Sequence, residues 1–197
     1  MNKTLIPCLA LTVLLQGCFV KSLSPWLSDD CKVTDIDLTG QWHDAGQGLT
    51  MSFAEGEEKD QYQILFLSPD NECARVEGAL YKLDKTFYLM IQPPECTSFF
   101  EMCVNQPCYS LFKAEINDKE MILYYIATEV IKQLAETKKI KICEFSKDEP
   151  PLIISSTEEL TKLLKDNLKE DNLFMAEPLY TFKSTSLLGA SEADIFK

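Results

Sequence analysis

Few side chains in this chain are suited to chemistry. One histidine, His43, stands among 197 residues that include eight cysteines. Ser-His-Asp and Cys-His systems both need an imidazole as their base, so any such centre must be built on His43. His43 follows Trp42 and precedes Asp44; a strand-end histidine with a local hydrogen bond is the simplest expectation, and a hydrolase using His43 is the alternative. There is no Gly-x-Ser-x-Gly elbow, Gly-rich phosphate loop or His-Glu-x-x-His helix. The acidic run Glu55-Gly56-Glu57-Glu58 lacks the regular oxygen spacing of a calcium loop and reads as a solvated turn. Asp35 and Asp37 alternate along a strand start and could pair as carboxylates, but so could many surface acids. No catalytic residue, metal site or cofactor is therefore expected.

The cysteines carry more information. Met1 to Gly17 has one early positive charge, Lys3, then an almost unbroken apolar run from Leu5 to Leu15, the pattern of a secretory signal. That run is too short for a transmembrane helix, which needs about 20 residues. It ends Leu15-Gln16-Gly17-Cys18, which resembles the bacterial lipobox: an aliphatic residue, a variable one, a small one and a cysteine. The resemblance implies cleavage before Cys18, a diacylglyceryl thioether and an N-acyl (palmitate-type) chain on that residue. A single acyl chain gives only marginal membrane attachment at about 0.8 kcal/mol per buried CH₂, so several chains are needed for stable anchoring. Phe19 stands where an aspartate would resemble an inner-membrane retention signal, which points to the outer membrane of the bacterial envelope.

Cys8 falls in the signal. With Cys18 assigned to lipid, six cysteines remain: Cys31, Cys73, Cys96, Cys103, Cys108 and Cys143. An even number in an exported chain suggests three disulfides, with 15 connectivities open. Cys96, Cys103 and Cys108 cluster in a Pro-bearing segment, where a bridge would pin a loop at about 2 kcal/mol in the chain-entropy model. A metal site would lack CxxC spacing and have one histidine at most.

The whole chain has a formal charge of −12. Without residues 1–17, whose only charge is Lys3, 18 basic residues face 31 acidic ones, a balance of −13. Such a surface argues against a nucleic-acid partner, because phosphate binding needs clustered Lys and Arg. Arg75 is the single arginine, which argues against bidentate clamps for phosphate or carboxylate. The acidic excess favours solubility and repulsion from anionic lipid heads.

The elements are mostly β. Leu49 to Phe53 alternates apolar and polar residues, and Tyr62 to Leu67 resumes after the turn at residues 56–60. Ser68 to Asn71 is a second turn, and Cys73 to Leu83 with Thr86 to Ile91 reads as a hairpin about Asp84-Lys85. Tyr109 to Ile116 and Met121 to Ile126 flank a turn at residues 117–119. Ile140 to Phe145, Leu152 to Ile154 and Leu179 to Phe182 add further strands. Two helices interrupt the series. The first is Thr128 to Glu136, with Val130, Ile131 and Leu134 on one face. The second opens with the capping box Ser156-Thr157-Glu158-Glu159 and carries the stripe Leu160, Leu163, Leu164 and Leu168. These strands and tight turns predict a mainly β fold with minor α content, an antiparallel meander closed as a barrel or sandwich with one or two helices packed on it.

Gly40-Gln41-Trp42 resembles the Gly-x-Trp motif that opens the first strand of lipocalins. The resemblance implies an eight-stranded barrel with the tryptophan plugging one end, a glycine that permits close approach, and an arginine stacked on the tryptophan, for which Arg75 is the candidate. The chain accordingly divides into a signal (1–17), a lipidated tether (18–35), an antiparallel β domain with a C-terminal helix (36–183) and a flexible tail (184–197). The expected role is that of a membrane-tethered, non-catalytic module holding a small apolar or lipid ligand inside the barrel. The alternative is a surface protein with a solid core that contacts envelope or host proteins.

Overall fold

The computed structural model describes residues 20–93, 108–144, 150–168 and 172–185. Eight antiparallel strands close a barrel: β2 (Gly40–Asp44), β3 (Leu49–Glu55), β4 (Tyr62–Leu67), β5 (Cys73–Leu83), β6 (Thr86–Gln92), β7 (Ser110–Ile116), β8 (Glu120–Tyr125) and β11 (Tyr180–Ser184). Each strand pairs with the next along the chain, and β11 closes the ring between β8 and β2. The meander and its closure are as the strand pattern and the lipocalin resemblance imply.

Closure needs side chains that alternate strictly between the two faces of every strand. Along β6, Leu89 and Ile91 face inward, while Tyr88 and Met90 face outward. Their partners on β5 and β7 obey the same register: Leu80, Leu89 and Phe112 stand side by side inside the barrel, whereas Ala79, Met90 and Leu111 stand outside it. The outside of β5, β6 and β7 is thus as apolar as the inside. Its burial requires a second layer.

That layer is supplied by the two helices and by the chain ends of the domain. Helix α1 (Thr128–Glu136) buries Ile131 and Leu134. Helix α2 (Thr157–Asn167) buries Leu160, Leu163 and Leu164. Ser156 Oγ accepts the amide of Glu159 (3.4 Å), and the Glu159 carboxylate accepts the amide of Ser156 (3.0 Å), which closes the capping box expected from sequence. A second, three-stranded sheet is ordered β1 (Lys21–Ser22), β10 (Leu152–Ile153), β9 (Ile142–Cys143). It joins the barrel through reciprocal backbone hydrogen bonds between Ser22 and Tyr109 (2.9 and 2.8 Å). The expected strand from Ile140 to Phe145 is therefore only two residues long within the described region.

The segment expected to be a tether departs most from the sequence reading. Val20, Ser22, Trp26, Leu27 and Val33 are all buried; residues 20–31 lie against the outer core as a strap, and Val33 joins the inner core. The amide of Trp26 donates to Met90 Sδ (3.3 Å), the Trp26 carbonyl accepts from Thr161 Oγ1 (3.1 Å), and the Val33 amide donates to Leu80 O (2.8 Å). The strap thus runs between the outer face of β6 and helix α2. The apolar pair Trp26-Leu27 explains this, because full burial of such side chains contributes about 1.5–3 kcal/mol each. The Ser, Pro and Asp residues around them suggested otherwise. At the far end, β11 continues to Ser184, one residue past the expected boundary, and residues 186–197 lie outside the described region.

Candidate functional site

The Gly-x-Trp residues open β2, the first strand of the barrel. Trp42 is buried in the inner core, and its Nε1 donates to Leu38 O (2.9 Å). Leu38 is itself fully buried, and its amide donates to the hydroxyl of Tyr62 (3.4 Å), which in turn donates to Ile36 O (3.0 Å). Residues 33–38 so cross the barrel end and are stitched to Trp42 and Tyr62. Burial pushes the Tyr62 hydroxyl above its usual range, reinforced by Asp37, Asp60 and Glu55 and partly opposed by the Leu38 amide. Gly40 serves differently from the expectation. It adopts φ +110°, and no described atom comes within 4 Å of the Cβ position, so a left-handed backbone rather than close approach selects glycine. The expected arginine stack is also absent. Arg75 is exposed on the outer face of β5, opposite Leu65 on β4, whereas the Trp42 indole lies inside.

His43 and Asp44 do not act together. Alternation along β2 places them on opposite faces. His43 Nδ1 lies 3.1 Å from Thr50 Oγ1 on the neighbouring strand, the local hydrogen bond expected of it. Asp44 is buried and acts on the backbone. Its Oδ1 accepts the amides of Gly46 (2.7 Å) and Gln47 (3.0 Å), and its Oδ2 accepts the amide of Thr181 (2.8 Å) on β11. Gln47 adds a hydrogen bond from Nε2 to Leu179 O (2.8 Å). One carboxylate thus shapes the β2–β3 turn and holds the closing strand. Strand alternation alone would have shown that Asp44 points inward; its partner on β11, 137 residues away, has no local signal.

No disulfide is formed among the described cysteines. Cys31, Cys73, Cys108 and Cys143 are all free thiols. They belong to separate elements: a 3-10 turn in the strap (Asp29–Cys31), the exposed start of β5, the residue entering β7, and β9. Cys73 faces Leu67 across the β4–β5 ladder, and Cys143 faces Leu152 across the β9–β10 ladder. Cys18, Cys96 and Cys103 lie outside the described residues. Burial pushes the Cys108 thiol up, with Lys21 opposing, which disfavours the reactive thiolate. Burial likewise raises the Tyr81 and Tyr109 hydroxyls, with Asp29 adding to the effect at both.

Cavities lie around the barrel. Beneath helix α2, one of about 110 Å³ is walled by Tyr88, Leu164, Leu173 and Phe174, with Lys113 at its edge. Another of about 470 Å³ opens at the barrel end between residues 34–39 and 55–62, and it is lined by acids, including Asp35, Asp37 and Glu55. A third of about 260 Å³ lies along the strap beside Tyr81 and Tyr109. Among the described residues, no group of three or more His, Cys, Asp or Glu side chains is arranged to hold a metal. Inside the barrel, Met51, Phe53, Ile64, Leu80, Leu89, Met121 and Phe182 are all 0–2% exposed. Comparison of the chain with family models, with curated proteins and with solved structures found no match.

Proposed function

We propose that this chain is a lipid-anchored protein of the bacterial envelope whose barrel is a solid-cored, non-catalytic interaction domain. The observation that carries the reading is the filling of the barrel. Phe53, Phe182, Met51 and Met121 meet in its interior at 0–2% exposure, and Trp42 and Tyr62 pack at the end crossed by residues 33–38. Ligand pockets for drug-sized molecules run about 300–1,000 Å³ and are mainly apolar. The cavity under α2 is about 110 Å³, below that range and edged by Thr86, Lys113 and Asn167, and the one at the barrel end is lined by acids. Neither suits a fatty acyl chain. The outer surface is then the working surface, facing envelope or host proteins. Attachment would come from acylation of Cys18 after removal of residues 1–17, in the outer membrane as Phe19 suggests.

Mass spectrometry of the protein extracted from envelope membranes tests both halves. The intact mass is expected to equal that of residues 18–197 plus three acyl chains and glycerol, and Cys18→Ser should release the protein into the soluble fraction. Native spectra should show a domain with no further bound lipid. A stoichiometric apolar ligand held by the folded domain would overturn the solid-core reading in favour of a carrier.

A further inference from the structure

The small sheet has an outward face on which Leu23, Ile154 and Lys141 are exposed and Lys21, Leu152 and Cys143 half-buried. Ser22 and Ile153 point inward and are fully buried, so their neighbours must point outward. The register aligns Lys21, Leu152 and Cys143 across the three strands. One step along, the Leu23 amide donates to Ile153 O (2.9 Å) and the Ile154 amide to Lys141 O (2.9 Å), which aligns Leu23, Ile154 and Lys141. Leu23 is 37% exposed and Ile154 44%, two of only four exposed large apolar residues in the described chain. They stand together.

From this juxtaposition we infer that the outward face of β1, β10 and β9 rests on the surface of the anchoring bilayer, with Leu23 and Ile154 in the head-group layer and Lys21 and Lys141 against anionic lipid heads. The inference rests on the acylation of Cys18 proposed above. Lys21 is three positions after Cys18, a reach of at most about 11 Å. The strap is folded onto the domain from Val20, so no long linker lets the barrel turn away. Charge selects the same face. The chain carries −12 overall, which repels it from anionic lipid, yet this face presents Lys21 and Lys141, and exposed Lys138 and Lys139 precede it in the chain. Lys141 also pairs with Glu159 (2.8 Å), but its side chain remains 66% exposed. Each lysine near an anionic surface strengthens attachment about five-fold.

The test is methyl NMR of the full mature chain on vesicles of phosphatidylethanolamine and phosphatidylglycerol doped with a gadolinium-chelating lipid. Leu23 and Ile154 should lose most of their signal. Leu67, exposed on β4 three strands around the barrel from β7, should keep it. Lys21→Gln with Lys141→Gln should abolish that difference. Lys141 is exposed and Lys21 half-buried, and glutamine keeps a long polar side chain at each, so folding is retained. Equal broadening at Leu67, or sharp signals at Leu23 and Ile154, would overturn the orientation. Intact mass reads acylation independently. Should Cys18 prove unmodified, the same chain held by an N-terminal hexahistidine on nickel-chelating lipid gives the same readout, so the two proposals fail separately.

Discussion

Asp44 shows how a single residue can fix the closure of the barrel. Its carboxylate accepts three backbone amides, one of them on β11, and a hydrogen bond to a charged group contributes about 1.5–3 kcal/mol. Asp44→Ala should therefore lower the unfolding free energy by about 3 kcal/mol in urea, with Thr181 losing hydrogen-exchange protection first. Asp44→Asn keeps one acceptor oxygen and should cost roughly half as much. An unchanged urea midpoint in Asp44→Ala would remove this residue from the closure. His43, by contrast, is held only by Thr50, and its replacement by Gln should stay within about 1 kcal/mol. The sequence reading made His43 a strand-end histidine with a local hydrogen bond and assigned no role to Asp44 beside it. A strand period of two separates them, and the role of Asp44 depends on a contact that only the closed ring creates.

At the level of elements, legibility followed local patterning. Helix α2 could be read from its capping box and leucine stripe because both are encoded within four to eight residues of each other, and the structure reproduces them. The strap could not be read in the same way, since its burial depends on the outer face of β6 and on Thr161. Trp26 is the critical residue. It is fully buried, and its Nε1 has no hydrogen-bond partner, a state that costs about 1–3 kcal/mol. Two substitutions should therefore diverge. Trp26→Ala removes the packing and should cost about 3–5 kcal/mol, whereas Trp26→Phe removes the orphaned N–H with much of the volume and should be near neutral in thermal unfolding. If both destabilise alike, the indole N–H has an uncounted partner. The α2 cap gives a pH dependence. The Glu159 carboxyl is held below the usual glutamate range, first by the hydrogen bond from Lys141 and then by the Ser156 amide. A depressed folded-state pKa adds stability above the unfolded value and loses it as pH falls through the folded value. The difference in unfolding free energy between the protein and Glu159→Gln should thus be present at neutral pH and vanish on acidification; a difference that grows in acid would contradict the cap.

Across the whole molecule, β5, β6 and β7 are apolar on both faces and stand between two cores, one inside the barrel and one under the helices, strap and small sheet. A barrel that carried ligand would keep its interior partly empty and could place its binding energy there. Here the interior holds Phe53, Met51, Met121 and Phe182 out of reach of solvent, and the described cavities lie at the ends or on the outside. The Gly-x-Trp resemblance led correctly to the barrel, whereas the filling of its interior depends on side-chain volumes that no short motif encodes. The distinction can be measured by emptying the core. The native protein should give no shifted xenon resonance from within the barrel, because interiors at crystal-like density leave no room for it. Phe182→Ala should cost about 3–5 kcal/mol and leave an apolar void of the kind that stays dry and admits xenon or benzene. Its 129Xe resonance should shift, and xenon pressure should recover part of the lost stability through binding to the folded state alone. Xenon bound equally by the native chain would mean that the barrel is already hollow, and the working surface would then be sought inside it.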